Sequence, residues 1–314
     1  MVIITRMGIK HLSRFLRKNC KNIVNEITFN MLSGKHIVVD TSIYIHKGKS
    51  TKSLIEYMTS LCSLFYTNNI RATFIFDGMP PREKRQELEN RRKQAKIAKE
   101  QYNTLKSELT SMINGANESG KRIDCHDKQD IEIEMEILRR QFAKITKNEL
   151  KITKELIRSY GMKCMTAHGE ADNLCAYMVN HGYADICMSE DTDLFVYQCP
   201  RVIRYISILR NTCCYYEFNK ICDELGLTNK QFVTLCQCSA NDYEPNQPYI
   251  ENVYQLYKSQ NVNLCPNKKV TNGYYIDESD MYALVERKLA IPQESNLPRL
   301  HEIMETDGFV FVPT

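Results

Sequence analysis

The chain has 314 residues, of which 43% are hydrophobic, enough to bury the core of one large domain or of two unequal ones. This composition excludes a disordered or fibrous protein. Its 42 basic residues only slightly exceed its 38 acidic residues, and the net charge of +4 does not by itself indicate a nucleic-acid partner. Any basic surface must therefore be local.

The cysteines and the apolar runs restrict the class of protein. The thirteen cysteines are an odd number, and no apolar segment of a secretory signal precedes them, so we interpret them as reduced thiols of an intracellular protein. Neither Cys236 with Cys238 nor Cys213 with Cys214 has a partner pair at zinc-site spacing. No run approaches the roughly 18 apolar residues of a membrane span, so we expect no membrane partner.

Short apolar runs predict the strands of a parallel sheet. Three of them are filled by β-branched or aromatic residues and end in polar residues, at His36–Asp40, Thr73–Asp77 and Asp185–Ser189. Helical spacing of apolar residues over 54–68 predicts the crossover between the first two strands. Two more strands and two helices are predicted at Val202–Ile206, Thr212–Glu217, Asn219–Leu225 and Asn229–Cys238.

A charged segment interrupts this α/β pattern. Residues 82–108 contain nine Lys or Arg and five Glu but almost no large apolar residue, which predicts a helix standing away from the core. The Gly- and Asn-rich stretch 114–120 predicts a loop. Helical periodicity returns over 130–160, with Gly161 as the predicted stop. The last seventy or so residues are rich in proline, and we expect a small helical subdomain there.

Seven acidic residues are predicted to converge on one crevice. Four follow predicted strands, two begin the predicted helix 171–180, and one lies in a later loop: Asp40, Asp77, Asp191, Asp193, Glu170, Asp172 and Asp242. Carboxylates so close together repel unless cations neutralise them, and hard oxygen ligands are those that Mg²⁺ prefers. The alternative is that acids simply favour loops and helix N-termini. The shared position at strand ends favours a metal site.

The charged segment has two interpretations. Glu87 with Arg91, and Glu89 with Lys93, have the spacing of ion pairs on a solvated helix face. Alternatively, the segment follows Asp77 so closely that it holds phosphates near the metals. The neighbouring carboxylates favour phosphate binding.

Six motifs in fixed order carry a family resemblance. They are Met7-Gly8-Ile9-Lys10, Val38-Val39-Asp40-Thr41, Phe76-Asp77-Gly78, Gly169-Glu170-Ala171-Asp172, Ser189-Glu190-Asp191-Thr192-Asp193-Leu194 and Asn241-Asp242-Tyr243. This order resembles the flap endonuclease and XPG-type family of structure-specific 5′ nucleases. The stretches 40–48, 176–178 and 199–203 resemble most closely the eukaryotic 5′→3′ exonuclease branch. The abundance of Lys, Asn and Ile is typical of AT-rich genomes, including those of large DNA viruses.

The resemblance implies a PIN-like α/β fold, a parallel twisted sheet flanked by helices, with a helical arch and a small helical C-terminal subdomain. The implied division is a nuclease domain over 1–225, with the arch inserted at 82–125, and a subdomain over 226–314 with a degenerate duplex-binding hairpin. It also implies two Mg²⁺ ions, with Mn²⁺ as a substitute, held by the seven acids. Lys84 and Arg91 match the basic pair on the arch that contacts the scissile phosphate.

The remaining implied contacts are with the nucleic acid. Tyr44 and His46 occupy positions that touch terminal or unpaired nucleotides in the family, although His46 is equally consistent with a plain surface residue. Further basic residues of the arch are expected to bind nucleic acid, at Arg82, Arg85, Arg92 and Lys93.

The sequence departs from the family pattern at two places. Six residues precede Met7, so either Met7 is the true start or the extension passes away from the site. The family has a Gly-Ile-Gly hairpin after the Asn-Asp-Tyr motif, whereas residues 244–251 contain two prolines and no glycine. Because proline lacks the N–H that such a hairpin uses to bind phosphate, the duplex-binding element is in doubt. A sliding-clamp motif is also not recognisable.

The predicted function is a metal-dependent 5′ nuclease that acts on DNA flaps, gaps or recessed 5′ ends in replication, recombination or repair. We expect a monomer whose partner is DNA with a 5′ end or a single-strand/duplex junction, located in the nucleus if cellular and at the replication site if viral. Two alternatives stay open. One is an RNA-cleaving relative, and the other is a noncatalytic nucleic-acid-binding scaffold.

Overall fold

The computed structural model describes residues 9–20, 25–50, 53–79, 85–119, 131, 134–135, 137–139, 141–241, 246–260 and 278–308. Within them, seven strands form one sheet. The strands are β1 (Asn25–Thr28), β2 (His36–Asp40), β3 (Arg71–Phe76), β4 (Lys163–Thr166), β5 (Ile186–Met188), β6 (Arg201–Ser207) and β7 (Thr212–Glu217). Their order across the sheet is β1-β7-β6-β5-β2-β3-β4.

The sheet has a parallel part and an antiparallel edge. Strands β6, β5, β2, β3 and β4 pair in parallel, while β7 and β1 add to β6 in antiparallel fashion. The five predicted strands are thus confirmed within a residue or two at each end. Strands β1 and β4 are additions that the sequence analysis missed, because each has only four residues and no continuous apolar run.

Twelve α-helices have both ends within the described residues. They are α1 (Leu12–Asn19), α2 (Thr41–Lys49), α3 (Leu54–Thr67), α4 (Arg85–Ser119), α5 (Lys147–Ser159), α6 (Ala171–Asn180), α7 (Asp193–Val196), α8 (Phe218–Leu225), α9 (Asn229–Gln237), α10 (Ile250–Gln260), α11 (Glu278–Leu289) and α12 (Leu297–Thr306). A short 3₁₀ helix spans Phe29–Leu32. None of the described helices has the length and apolar character that a membrane crossing needs.

The length of helix α4 contradicts one prediction. The loop predicted from residue 114 is wrong as far as residue 119, because the helix runs through it; a mid-helix glycine costs about 1 kcal/mol but does not break a helix. The helix contributes no described residue to the hydrophobic clusters on the sheet, although Ala98 is buried and the ring centre of Tyr102 lies 5.4 Å from that of Phe142. Residue 120 and those that follow up to 130 lie outside the described residues.

The predicted helix over 130–160 is divided. The described residues from 131 to 142 are helical, residues 143–146 are not, and α5 begins after Thr146. The Thr146 side chain accepts the backbone N–H of Glu149, and the Glu149 carboxylate accepts that of Thr146, a reciprocal cap that fixes the start of α5. The helix ends as predicted, with Gly161 at a left-handed φ of +77°.

Hydrophobic residues pack on both faces of the sheet. One cluster joins α1 and α6 to α8, α9, α10 and α11, and the other joins α2, α3 and α5 to α12. The helices after residue 225 therefore share both cores with the sheet, while the division of the chain at that residue stays a prediction. The described cysteines are all free thiols, and most are buried in these cores.

Candidate metal centre and nucleic-acid interface

Acidic residues end three neighbouring parallel strands. Asp40 is the last residue of β2, Asp77 follows β3 directly, and Asp191 follows β5 by three positions. The strands lie side by side in the order β5-β2-β3, with Val39 of β2 paired to Met188 of β5. Their carboxyl ends therefore meet at one edge of the sheet, the place where open α/β sheets bind ligands.

Three of the carboxylates form a tight buried group. Oxygen atoms of Asp172, Asp191 and Asp193 all lie within 4.8 Å of one another. Their side chains are only 6%, 3% and 4% exposed. Among the described residues, this is the only such cluster of His, Cys, Asp and Glu side chains.

Asp40 is joined to this group through Ser189. The Ser189 hydroxyl donates to Asp40 Oδ2 at 2.8 Å and accepts the backbone N–H of Asp191 at 3.0 Å. Burial raises the pKa of Asp40 to about 7, and the charges of Asp77 and Asp191 act in the same direction. Ser189 is not among the predicted site residues, although its position between a strand end and the Asp191 motif was a usable signal.

The electrostatics and the donor atoms fit a divalent cation. Burial raises the pKa of Asp172 well above its ordinary range, and the charges of Asp191 and Glu170 raise it further. Glu170 lies directly before α6 and contributes a half-buried side chain. The cluster thus offers only carboxylate oxygens, the hard ligands of Mg²⁺, and the mutual repulsion of these acids is what a bound cation would relieve.

Asp77 is held by the helix that carries Asp172. Its Oδ1 accepts the backbone N–H of Ala171 at 2.9 Å, and the Ser42 hydroxyl donates to its Oδ2. The next residue, Gly78, passes so close to the 167–169 segment that an added Cβ would lie 2.0 Å from the carbonyl oxygen of Ala167. Only glycine fits there, which explains the Phe-Asp-Gly motif in steric terms.

Glu190 is part of the acidic motif but does not join the cluster. Its Oε1 accepts the backbone N–H of Tyr205 at 2.7 Å, and its charge raises the pKa values of Tyr44 and Tyr57, second only to the burial of each ring. The carboxylate is thus directed towards β6 and the tyrosines. Sequence spacing does not reveal this direction.

The basic side of the crevice is described in part. Desolvation lowers the pKa of His46, the charge of Asp77 raises it and that of Arg91 lowers it, so both charges act on this imidazole. Arg91 is half-buried, while Arg92 and Lys93 are exposed on the same helix. Arg85 begins α4, and its side chain is outside the described part. Arg82, Lys84 and Asp242 also lie outside the described residues.

The position of Tyr44 contradicts a prediction. The resemblance implies that its side chain touches nucleotides, but the ring is fully buried in the core between the sheet and α3. Residue 44 falls on the inner face of α2, whereas residue 46 falls on its outer face. A step of two residues turns a side chain by more than half a helical turn, so the two cannot share a surface role.

Two family models match the chain. The model of the XPG N-terminal domain matches residues 7–98, and that of the XPG I-region matches residues 161–242. Together they cover more than half of the chain. The two ranges contain all seven predicted acids.

Curated relatives are flap endonucleases. Flap endonuclease 1 of Babesia bovis is 28% identical over 255 residues, covering 76% of this chain and 35% of that protein. Flap endonuclease 1 of Entamoeba histolytica (27% over 257 residues) and that of Glycine max (28% over 256 residues) also match 76% of this chain, and 62% of their own length. The chain therefore spans between about a third and three fifths of these relatives. The finer resemblance to the exonuclease branch stays a prediction.

Solved structures match most of the fold. The catalytic core of Rad2 in complex with a DNA substrate superposes with a TM-score of 0.60 at 17% identity, covering 95% of this chain and 94% of that one. The Holliday junction-resolving enzyme GEN1 with product DNA and Mg²⁺ gives 0.63 at 16% identity, covering 95% and 73%. Flap endonuclease-1 from Methanococcus jannaschii gives 0.53 at 16% identity and covers 94% and 96%. These matches confirm the predicted PIN-like nuclease fold.

Proposed function

The chain belongs to the flap endonuclease and XPG family of structure-specific nucleases, and from this premise we propose that it is a metal-dependent 5′ nuclease. Its substrate is DNA with a flap, a gap or a recessed 5′ end, in replication, recombination or repair. The observation that carries the proposal is the buried group of Asp172, Asp191 and Asp193 at the carboxyl ends of parallel strands. Burying several carboxylates together costs free energy unless cations compensate their charge, and hard oxygen ligands are those that Mg²⁺ prefers.

Two Mg²⁺ ions would be held by this group together with Asp40, Asp77 and Glu170. Bound there, they would supply a hydroxide nucleophile at neutral pH and stabilise the charge on the leaving oxygen. Ser189 holds the Asp40 carboxylate and the backbone of Asp191 in place for this task. GEN1 is described with product DNA and Mg²⁺, and Rad2 with a DNA substrate, which supports both the metal and the substrate class.

The basic residues beside the acids hold the phosphate that is cleaved. The charges of Arg91 and Asp77 both act on His46, which supports a role for the Arg91 guanidinium in binding an anion beside the acidic cluster. With Lys84, it would stabilise the negative charge that builds up at the phosphate during the reaction. No protein nucleophile is needed, because the metal site would supply the attacking water.

The test is Asp191→Asn with a 5′-labelled DNA flap in Mg²⁺. We expect cleavage to be abolished while substrate affinity stays within about tenfold of wild type, because a lost ligand removes transition-state stabilisation more than binding. The matched control is Asp223→Asn, an exposed acid on α8 that lies in no described acidic cluster, and it should cut normally. A labelled RNA flap of the same shape tests the RNA-cleaving alternative, and full activity of Asp191→Asn would disprove the metal assignment.

A further inference from the structure

An arginine is buried behind the acidic loop. Arg204 lies in the middle of β6 and is 2% exposed. Its guanidinium carbon lies 5.0 Å from the ring centre of Tyr205, 5.9 Å from that of Phe195 and 6.0 Å from that of Tyr216. Burying a charge costs several kcal/mol unless partners compensate it. The contacts of the Arg204 guanidinium therefore indicate its role.

The polar partners of Arg204 connect two separate elements. One terminal nitrogen donates to the backbone carbonyl of Glu190 at 2.6 Å, and the other donates to the hydroxyl of Ser13 in α1 at 3.1 Å. Its Nε lies 3.9 Å from the Glu190 carboxylate. The side chain thus ties the loop that contains Asp191 to the N-terminal helix, from inside the core.

Strand β6 holds this loop at three successive residues. Ile203 accepts the backbone N–H of Ser189 at 3.3 Å, Arg204 binds the carbonyl of Glu190, and Tyr205 donates its N–H to the Glu190 carboxylate. Asp191 follows immediately, and its Oδ1 accepts the backbone N–H of Asp193 at 2.9 Å. The placement of Asp191 and Asp193 therefore depends on how β6 holds residues 189 and 190.

We propose that Arg204 is a positioning residue for the metal centre, which holds the loop 189–193 in the geometry that gives the acidic cluster its affinity for divalent cations. This inference rests on the proposed function. Groups that orient metal ligands typically change metal affinity about 10- to 100-fold when they are removed. Arg204 touches no ligand directly and acts through the backbone of Glu190.

The first test measures by calorimetry how tightly the acidic cluster binds Mn²⁺ in Arg204→Met and in wild type. Methionine keeps much of the buried volume and removes the charge. Removal of one partner of an ion pair destabilises a protein when the other charge stays buried and unpaired, and Glu190 is not left in that state. The Glu190 side chain, 25% exposed, keeps the N–H of Tyr205 and access to water. We expect Mn²⁺ to bind at least about tenfold more weakly, with thermal unfolding in EDTA little changed.

The matched control is Arg201→Met on the same strand. Arg201 also donates to a backbone carbonyl, that of Asp185 at 2.6 Å, but at the opposite end of β5 from the acids. Its replacement should leave Mn²⁺ affinity unchanged. A second readout is cleavage as a function of Mg²⁺: Arg204→Met should need more Mg²⁺ for half-maximal activity and recover most of its kcat when Mg²⁺ saturates, which a general loss of structure would not do.

The outcomes separate the two proposals. Wild-type protein that binds no Mn²⁺ overturns the proposed function itself. Wild-type binding with equal affinity in Arg204→Met overturns only the role of Arg204. If Arg204→Met does not fold, Arg204→Lys decides: a lysine reaches Glu190 or Ser13 but not both, so affinity should fall several-fold, and wild-type affinity in that variant would contradict the inference.

Discussion

At the scale of single residues, the site is defined by acids kept close together inside the protein. Asp40 is buried at the end of β2, and burial with two neighbouring acids raises its pKa to about 7 from an ordinary value of 3.8. Between these two pH values the folded protein keeps a proton that the unfolded chain has released. The contribution of Asp40 to stability is therefore fully present below about pH 4 and is lost as the pH rises through about 7.

This linkage predicts that the Asp40 side chain makes the free energy of unfolding depend on pH. In EDTA, the free energy of unfolding of wild type should fall relative to Asp40→Asn as the pH rises from 5 to 7, by up to about 1.4 kcal/mol per pH unit for one proton. Urea unfolding of both proteins at several pH values measures the difference, and saturating Mn²⁺ should remove it. Parallel curves for the two proteins would show that Asp40 is ionised throughout.

At the scale of elements, two adjacent arginines of α4 differ in burial. Arg91 is half-buried near His46 and Asp77, whereas Arg92, one residue further along α4, is exposed. Successive residues on a helix point about 100° apart, so these two arginines have different surroundings. The position of the charge, rather than its presence on the helix, decides what it contributes.

The two arginines should therefore give different kinetic defects. Arg91→Ala should lower kcat by about tenfold or more, because its charge acts where negative charge develops at the phosphate. Arg92→Ala should raise KM a few-fold and leave kcat almost unchanged. Single-turnover rates and KM on the same DNA flap measure both effects, and an equal rise in KM with unchanged kcat for both variants would make α4 a passive electrostatic tether.

At the scale of the whole molecule, the unusual feature is the connection between α9 and α10. The loop contains no glycine between residues 242 and 251, and the backbone N–H of Ala240 is already bonded to the carbonyl of Pro248 at 2.8 Å. Residues 242–245 lie outside the described part of the chain. A loop with two prolines and an N–H used internally has fewer donors for duplex phosphates.

Duplex binding should consequently be weak and only mildly salt-dependent. Each neutralised phosphate contributes a slope of about −0.9 to log K against log salt, so a shallow slope is expected on blunt duplexes, and affinity should depend mainly on the junction and the 5′ end. The measurement is a salt titration on a flap and on blunt duplexes of increasing length. A slope equivalent to roughly six or more phosphates, with affinity that climbs with duplex length, would show a full duplex clamp elsewhere.

The sequence by itself determined five of the seven described strands, the strand-end acids and the family. Apolar runs that end in aspartate are local patterns, so the strand positions of Asp40, Asp77 and Asp191 and their meeting at one edge of the sheet could be predicted from residue order alone. The glycine at residue 78 was visible as a motif, although its steric reason was not. These features could be predicted because the patterns that indicate them extend over only a few residues.

Only the tertiary structure decided which way individual side chains face. Tyr44 is in the core, and Glu190 is directed towards β6. Arg204 is buried behind the acids, although its sequence segment predicts only a strand. Each of these depends on contacts with residues far away in the chain, such as Ser13 with Arg204. The partners of a buried side chain are set by packing between elements, and residue spacing within one element does not identify those partners.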